Sequence, residues 1–294
     1  MATYESAVFS KSAWGSVSDA DFRAWGAACE DAIVGAGLTL ESSTVDWGTA
    51  TISGTATTFN AGDSAIYRFN DGLEEVYIQF EWGRGSATNP SPNQFAMRVK
   101  IGVDAAFAQG SSTATHLTGM ITGAITDYSW HACFVDGCFI LTESSSSAGS
   151  TYNPYFLIVE RSRDIDGTPN DDAVIMCVTG MGTSATLTSN ASATNRRIIF
   201  DPFSTATPAA QHLLSASLTT ATSGVDSAVP VVWGYNGILT PMRSALALQA
   251  ATAGTFQNFT IDDNGTNRTY RTNSLPTQGF FASNSSYRIA YRWE

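Results

Sequence analysis

The chain has 294 residues, of which 43% are hydrophobic, so it can bury a large core in one large domain or two modest ones. Its formal net charge of −11 argues against a nucleic-acid partner, because the phosphates of DNA or RNA would be repelled. No apolar run in the sequence is long enough to cross a bilayer, and the first residues lack the basic and apolar segments of a secretory signal. We therefore expect a protein that is made in the cytoplasm and binds neither nucleic acid nor a membrane.

The first predicted element is a helix between residues 18 and 37. Ser18 or Asp19 can cap its first turn, and Gly35 and Gly37 can end it. The apolar residues that recur at helical spacing are Phe22, Trp25, Cys29 and Ile33.

A short polar arm with two large aromatic residues, Phe9 and Trp14, precedes this helix. Nothing nearby in the sequence covers these side chains, so they pack either on their own domain, which we favour, or on a neighbouring subunit. We divide the chain into the arm and helix, residues 1–40, and a β-sandwich domain, residues 41–294. A domain seam near residues 202–229, where the strand signal is low, is an open alternative.

From residue 43 onward the pattern changes to the alternation and the β-branched and aromatic enrichment that are typical of strands. The first four strands are predicted near residues 47–53, 64–70, 75–82 and 94–102. The sequence GRGSATNPSPNQ, between the last two, has the glycine, proline, serine and asparagine of an exposed loop.

A hairpin is the clearest signal in the middle of the chain, where YSWHACFVDGCFILTES alternates on both sides of Asp136 and Gly137. This turn would place Cys133 opposite Ile140, so Cys133 and Cys138 would be diagonal neighbours rather than disulfide partners. A second hairpin with a longer loop follows in YFLIVERSRDIDGTPNDDAVIMCVTG. Two consecutive hairpins favour an antiparallel sheet.

The remaining strands are predicted at RRIIF, after a polar loop at residues 183–195, and then at VPVVWGY, RSALALQAA, FQNFTID, TNRTYRT and YRIAYRWE. Strands at this spacing after a single helix predict a mainly β fold. We expect an antiparallel β-sandwich or jelly roll with one N-terminal α-helix.

The sequence shows no catalytic or metal-binding constellation. Its three histidines, His116, His131 and His212, lack a Cys or His at zinc-ligand spacing and a nucleophile motif, so we interpret them as structural. The four cysteines form no CxxC pair and are interpreted as buried thiols. We therefore predict no catalytic residue, no cofactor and no metal.

An acidic loop contains the densest group of oxygen ligands in the sequence. Its DIDG start is similar to the start of a calcium loop, but the distal ligands are missing, and an acidic hairpin tip needs no metal. Convergence of this loop with Glu74, Glu75 and Glu81 would create the paired carboxylates of a polysaccharide-degrading enzyme, which is our third hypothesis. The oxygen ligands are Asp164, Asp166, Asn170, Asp171 and Asp172.

The seven tryptophans raise the alternative of a carbohydrate-binding module for host attachment, because sugars stack on aromatic rings. Exposed loops such as GRGSATNPSPNQ and DIDGTPNDD would suit that role. We interpret most of the tryptophans as core residues instead, because they lie within strand patterns. These are Trp47, Trp82, Trp130, Trp233 and Trp293.

Three parts of the sequence carry a family resemblance. They are DADFRAWGAACEDAIVGAGL with VDWGTATI, then AIYRFND with VYIQFEWGRGS, and then GYNGILTPMRSALAL with the final YRIAYRWE. Together they resemble a group of small virion structural proteins of tailed bacteriophages, usually encoded among tail or other particle genes. The resemblance implies a particle component without catalytic motifs, and it carries no binding residues to transfer.

From the residues and the resemblance together we expect a non-catalytic virion protein in the tail or baseplate, with head decoration as the open alternative. Its partners would be copies of itself, in a homo-oligomer, and other virion proteins. Aromatic and arginine side chains are typical anchors of such interfaces. The candidate assembly contacts are Phe9, Trp14, Arg84 and Arg243.

Overall fold

The structure is a computed structural model, and it describes residues 3–5, 9–10, 18–51, 64–84, 95–107, 112–117, 127–145, 156–179, 197–200, 213–214, 228–235, 238–249, 258–263, 265–272 and 287–294. These residues form antiparallel β structure with one helix near the N-terminal end. The mainly β fold class with an N-terminal helix, expected from the sequence, is confirmed.

Helix α1 (Asp19–Gly35) begins and ends where the sequence predicts. The Ser18 hydroxyl accepts a hydrogen bond from the Asp21 backbone N–H at 3.1 Å, and the Asp21 carboxylate accepts one from the Ser18 backbone N–H at 3.2 Å. This reciprocal capping box satisfies two N–H groups that the helix leaves unpaired. Gly37, at φ +109°, turns the chain away after the helix. No helix in the described part of the chain is long and apolar enough to cross a membrane.

The strands form three sheets. The central sheet has the order β1-β8-β9-β10-β11-β12, with β2 also paired to β8. Its strands are β1 (Thr3–Glu5), β2 (Phe9–Ser10), β8 (Asp127–Val135), β9 (Cys138–Ser145), β10 (Phe156–Arg163), β11 (Pro169–Thr179) and β12 (Arg197–Phe200).

The other two sheets flank this one. The helix-side sheet runs in chain order through β3 (Thr39–Ser43), β4 (Ser64–Arg68), β5 (Tyr77–Arg84), β6 (Phe95–Gly102) and β7 (Ser112–Leu117). The C-terminal sheet has the order β13-β14-β15-β18-β17-β16. Its strands are β13 (Leu213–Leu214), β14 (Ala228–Tyr235), β15 (Ile238–Gln249), β16 (Asn258–Asp263), β17 (Thr266–Thr272) and β18 (Tyr287–Arg292).

The sequence misplaces one strand. Residues 47–53 were predicted as a strand, but residues 47–49 form a turn and the strand is β3, earlier in the chain. The Asp46 carboxylate accepts hydrogen bonds from the Gly48 N–H and the Thr49 hydroxyl, both at 2.8 Å. Such local bonding by aspartate favours a turn over a strand. The first two residues of the predicted loop at 83–94, Gly83 and Arg84, belong to β5 instead, and its remaining residues lie outside the described residues. The predicted loop at 183–195 and most of the seam at 202–229 also lie outside them.

The predicted hairpin of β8 and β9 is confirmed in its register. Cys133 lies opposite Ile140, and both cysteines of the hairpin are buried and are not joined in a disulfide. Asp136 and Gly137 have φ values of +52° and +67°, as a type I′ turn requires.

The central sheet is buried on both of its faces. One face, with Trp130, Leu157 and Val174, shares a core with α1 and the helix-side sheet. The alternate residues, such as Ile140 and Ile158, are also fully buried and lie on the face toward the C-terminal sheet. The alternation expected for the hairpin strands is therefore incomplete, because burial on both faces favours apolar runs such as CFIL and FLIV.

Candidate functional site: a buried polar seam

Two adjacent residues of β10, Glu160 and Arg161, are fully buried and project from opposite faces of the central sheet. Glu160 binds the C-terminal sheet, and Arg161 binds the loop between β4 and β5 of the helix-side sheet. Together with Arg163 and the groups that these three side chains bind, they form what we call the buried polar seam.

Glu160 connects the central sheet to the C-terminal sheet. Its carboxylate accepts hydrogen bonds from the Arg243 backbone N–H at 2.7 Å, from the Ser244 backbone N–H at 3.2 Å, and from the Ser244 hydroxyl. The Arg163 Nε donates to the same carboxylate at 3.3 Å. With two oxygens and four donors, the buried charge is well satisfied by its surroundings.

Arg161 connects the central sheet to the loop that follows β4. Its guanidinium donates two bonds to the Asp71 carboxylate, at 2.7 and 3.1 Å, and one bond to the Glu74 carbonyl at 2.6 Å. A further bond, of 2.8 Å, goes to the Asp171 carboxylate on β11. The paired bonds to Asp71 set both the distance and the orientation of this loop, because a guanidinium is a rigid planar donor.

Arg163 lies on the same side as Glu160 because a register shift between Arg161 and Arg163 interrupts the alternation of β10. Its guanidinium donates to the Gly167 carbonyl at 2.9 Å, to the Asp136 carbonyl, and to the Cys138 sulfur at 3.0 Å. Burial raises the pKa of the Cys138 thiol well above its ordinary value. Cys138 is therefore a buried thiol and not an activated nucleophile.

The tip of the β8–β9 hairpin contacts the C-terminal sheet through Asp136. Its carboxylate accepts a 2.6 Å bond from Arg268 on β17 and lies 3.7 Å from the guanidinium of Arg292 on β18. The turn that the sequence predicts therefore also holds two strands of another sheet.

His131 on β8 forms a further contact with the C-terminal sheet. Its ring stacks on Trp293, with 3.7 Å between centroids and 8° between planes, and its Nε2 lies 3.3 Å from the Trp293 carbonyl oxygen. The Arg271 guanidinium lies 4.2 Å from the Trp293 ring centroid. Burial, with a smaller effect of the Arg271 charge, lowers the pKa of His131 from 6.5 to about 3, so the imidazole is neutral at pH 7.

The structure places the candidate assembly contacts in different sheets. Phe9 lies in β2 of the central sheet, opposite Tyr128, and Arg84 lies in β5 of the helix-side sheet. Arg243 lies in β15 of the C-terminal sheet, where its backbone binds Glu160 and its carbonyl accepts a 3.1 Å bond from the Tyr270 hydroxyl. Trp14 and the side chain of Arg84 lie outside the described residues. A role for these four residues in assembly stays a prediction.

The acidic loop uses its carboxylates within the fold. Asp164 accepts a bond from the Asn170 amide at 2.7 Å, and Asp166 accepts one from the Thr168 N–H at 2.9 Å. Among the described side chains, no group of three or more His, Cys, Asp or Glu residues could hold a metal ion. The loop that was considered for calcium is thus an internally bonded turn.

Two acidic side chains of the described residues converge around Arg161. Asp71, in the loop that also contains Glu74, and Asp171, from the acidic loop, both bind its guanidinium. Glycoside hydrolysis needs two carboxyl groups that face a common substrate. Here an arginine lies between them, so these two carboxylates act as its ligands.

Most tryptophans lie in the core or have their rings in contact with other side chains. Trp25, Trp82 and Trp130 are at most 1% exposed. Trp47 is half-buried and donates to the Glu30 carboxylate at 2.5 Å, while Trp293 has His131 and Arg271 against its ring. The side chains of Trp14 and Trp233 lie outside the described residues. The tryptophans that the structure describes therefore offer no open stacking surface for a sugar.

Sequence reasoning missed the buried polar seam, although a signal was present. The sequence FLIVERSRD places Glu160, Arg161 and Arg163 directly after four apolar residues of a buried strand. Charged side chains are rarely fully buried unless they are paired, so such an interruption predicts buried ion pairs.

Comparison of the chain with family models, with curated proteins and with solved structures finds no match.

Proposed function

We propose that this chain is a non-catalytic structural component of a tailed-bacteriophage particle, located in the tail or baseplate. It would assemble there with copies of itself and with other virion proteins. The proposal is supported by the three sequence segments that resemble virion structural proteins and by the organisation of the buried polar seam.

The seam carries the structural part of the argument. Its buried charged groups bind one another and join the three sheets, as Glu160 does toward β15 and Arg161 does toward the loop after β4. Buried ion pairs add little net stability compared with apolar residues, but a pair that is broken is costly. Such a network therefore favours one relative arrangement of the sheets, and a subunit that must match its neighbours in a repeated assembly needs a single shape.

The chemistry of the described groups also suits a structural role. The Cys138 thiol is buried with a raised pKa, and the His131 imidazole is stacked and neutral. A nucleophile paired with an accessible base would favour an enzyme instead. The glycan-binding alternative would need a platform of open aromatic rings, and a glycan array tests it directly.

The particle itself provides the test of the proposal. Lysates of cells that produce the encoding phage would be separated on a density gradient, and the fractions and intact particles would be probed with antibodies against the chain. We expect the chain to sediment with particles and gold-labelled antibody to bind the tail or baseplate. Label on the capsid would move the chain to head decoration, and detection only among unassembled proteins would refute the proposal.

A further inference from the structure

The outer edge of β8 is covered by the arm that precedes helix α1. Strands β1 and β2 both pair with β8, and their principal contacts are with β8 and α1. The paired residues are Thr3 with Cys133, Tyr4 with Ala132, Glu5 with His131, Phe9 with Tyr128, and Ser10 with Asp127.

This edge needs a strand against it. Trp130, His131, Ala132 and Cys133 of β8 are all fully buried, so their backbone groups cannot rely on bulk water for hydrogen bonds. An uncovered edge strand is also a site for uncontrolled pairing with other chains. The edge of β8 is thus a slot that has to be filled by an extended segment.

Backbone pairing does not distinguish which copy of the chain supplies that segment. The arm is joined to α1 through residues 11–17, and a chain of this length spans at most roughly 25 Å. An arm from an adjacent copy would make the same ladder with β8 and the same contacts with α1. Exchange of an identical element between copies therefore costs few contacts, and the high local concentration in an assembly favours it.

We propose that the β8 slot accepts the arm of a second copy of this chain, so that exchanged arms connect neighbouring subunits. This inference rests on the proposed function, since the assembly is what brings the copies together. The interface would consist of β1 and β2 of one copy, residues 3–5 and 9–10, and the edge of β8 with α1 of the next.

A single substitution tests this exchange, because Thr3 is paired with a native cysteine, Cys133. Directly opposed residues of antiparallel strands have Cα atoms about 4.5–5.5 Å apart, which is within the range of a disulfide. The full-length Thr3→Cys variant would be oxidised at the highest concentration at which it stays soluble and then run on a denaturing gel without reductant. The controls are Thr3→Ser, which adds no thiol, and Thr3→Cys with Cys133→Ser, which removes the partner thiol.

We expect Thr3→Cys to give bands at two or more times the chain mass of 31.2 kDa, and both controls to run as single chains. If two titratable thiols are lost but the chain still runs at monomer mass, the disulfide has formed within one chain. That result would overturn the proposal that arms are exchanged. Absence of any cross-link overturns it too, because the arm would then not lie on β8. In either case the virion proposal would still be decided separately, by the particle gradient.

Discussion

The stack of His131 on Trp293 makes the stability of the protein depend on pH in a way that one substitution can isolate. His131 is fully buried, and its pKa is lowered from 6.5 to about 3 in the folded chain. Between these two values the unfolded chain binds a proton at this position and the folded chain does not. Stability from this group is therefore complete above pH 6.5 and is lost as the pH falls toward 3.

The size of the effect follows from the two pKa values. At pH 5 the unfolded imidazole is protonated about 30-fold over its neutral form, which corresponds to about 2 kcal/mol of lost stability relative to pH 7.5. The substitution His131→Phe keeps an aromatic ring on Trp293 but cannot be protonated. We expect the free energy of unfolding to fall by about 2 kcal/mol more in the wild type than in the variant between pH 7.5 and 5.0.

Urea unfolding at the two pH values measures this difference, with the intrinsic fluorescence of the tryptophans as the signal. The carboxylates titrate in both proteins, so their contribution cancels when the two pH-dependent losses are compared. His131→Phe also loses the contact with the Trp293 carbonyl, but that cost is present at both pH values. Equal losses in the two proteins would show that His131 is not held neutral by burial, and the reasoning would be refuted.

Three further results are expected from the core and the seam. Glu160→Gln should lower the free energy of unfolding by about 3–5 kcal/mol in a urea titration, because buried donors lose their charged acceptor. The control Glu41→Gln, in a partly exposed ion pair, should lower it by less than about 1 kcal/mol. Gly26→Ala should lower the free energy of unfolding by about 1–3 kcal/mol, since an added Cβ would lie 2.0 Å from the Trp47 ring. The loss should be smaller when Trp47 is also replaced by leucine. The Cys138 thiol should resist maleimide in the native protein and react after unfolding, as mass spectrometry of the labelled peptides would show.

Local signals in the sequence were sufficient for the helix and the hairpins. Ser18 and Asp21 form the capping box at the start of α1, and Asp136 with Gly137 forms the predicted two-residue turn. These features depend on neighbours within a few residues, so they can be predicted without the rest of the fold. The strand predicted at residues 47–53 was wrong because the side chain of Asp46 stabilises a turn there.

The contacts of the seam depend on residues that are far apart in the chain. Arg161 meets Asp71, which is 90 positions away, and Glu160 meets Ser244, which is 84 positions away. The sequence indicates that charged residues interrupt a buried strand, but it does not indicate their partners.

By itself, then, the sequence determined the mainly β class, the N-terminal helix and the register of the β8–β9 hairpin. Only the tertiary structure decided that three sheets form and that the central sheet is covered on both faces. It also decided that Glu160 binds the C-terminal sheet while Arg161 binds the loop after β4. The physical reason is range. Turn geometry, capping and alternation act over a few residues, whereas buried ion pairs form only after the chain has brought distant segments together.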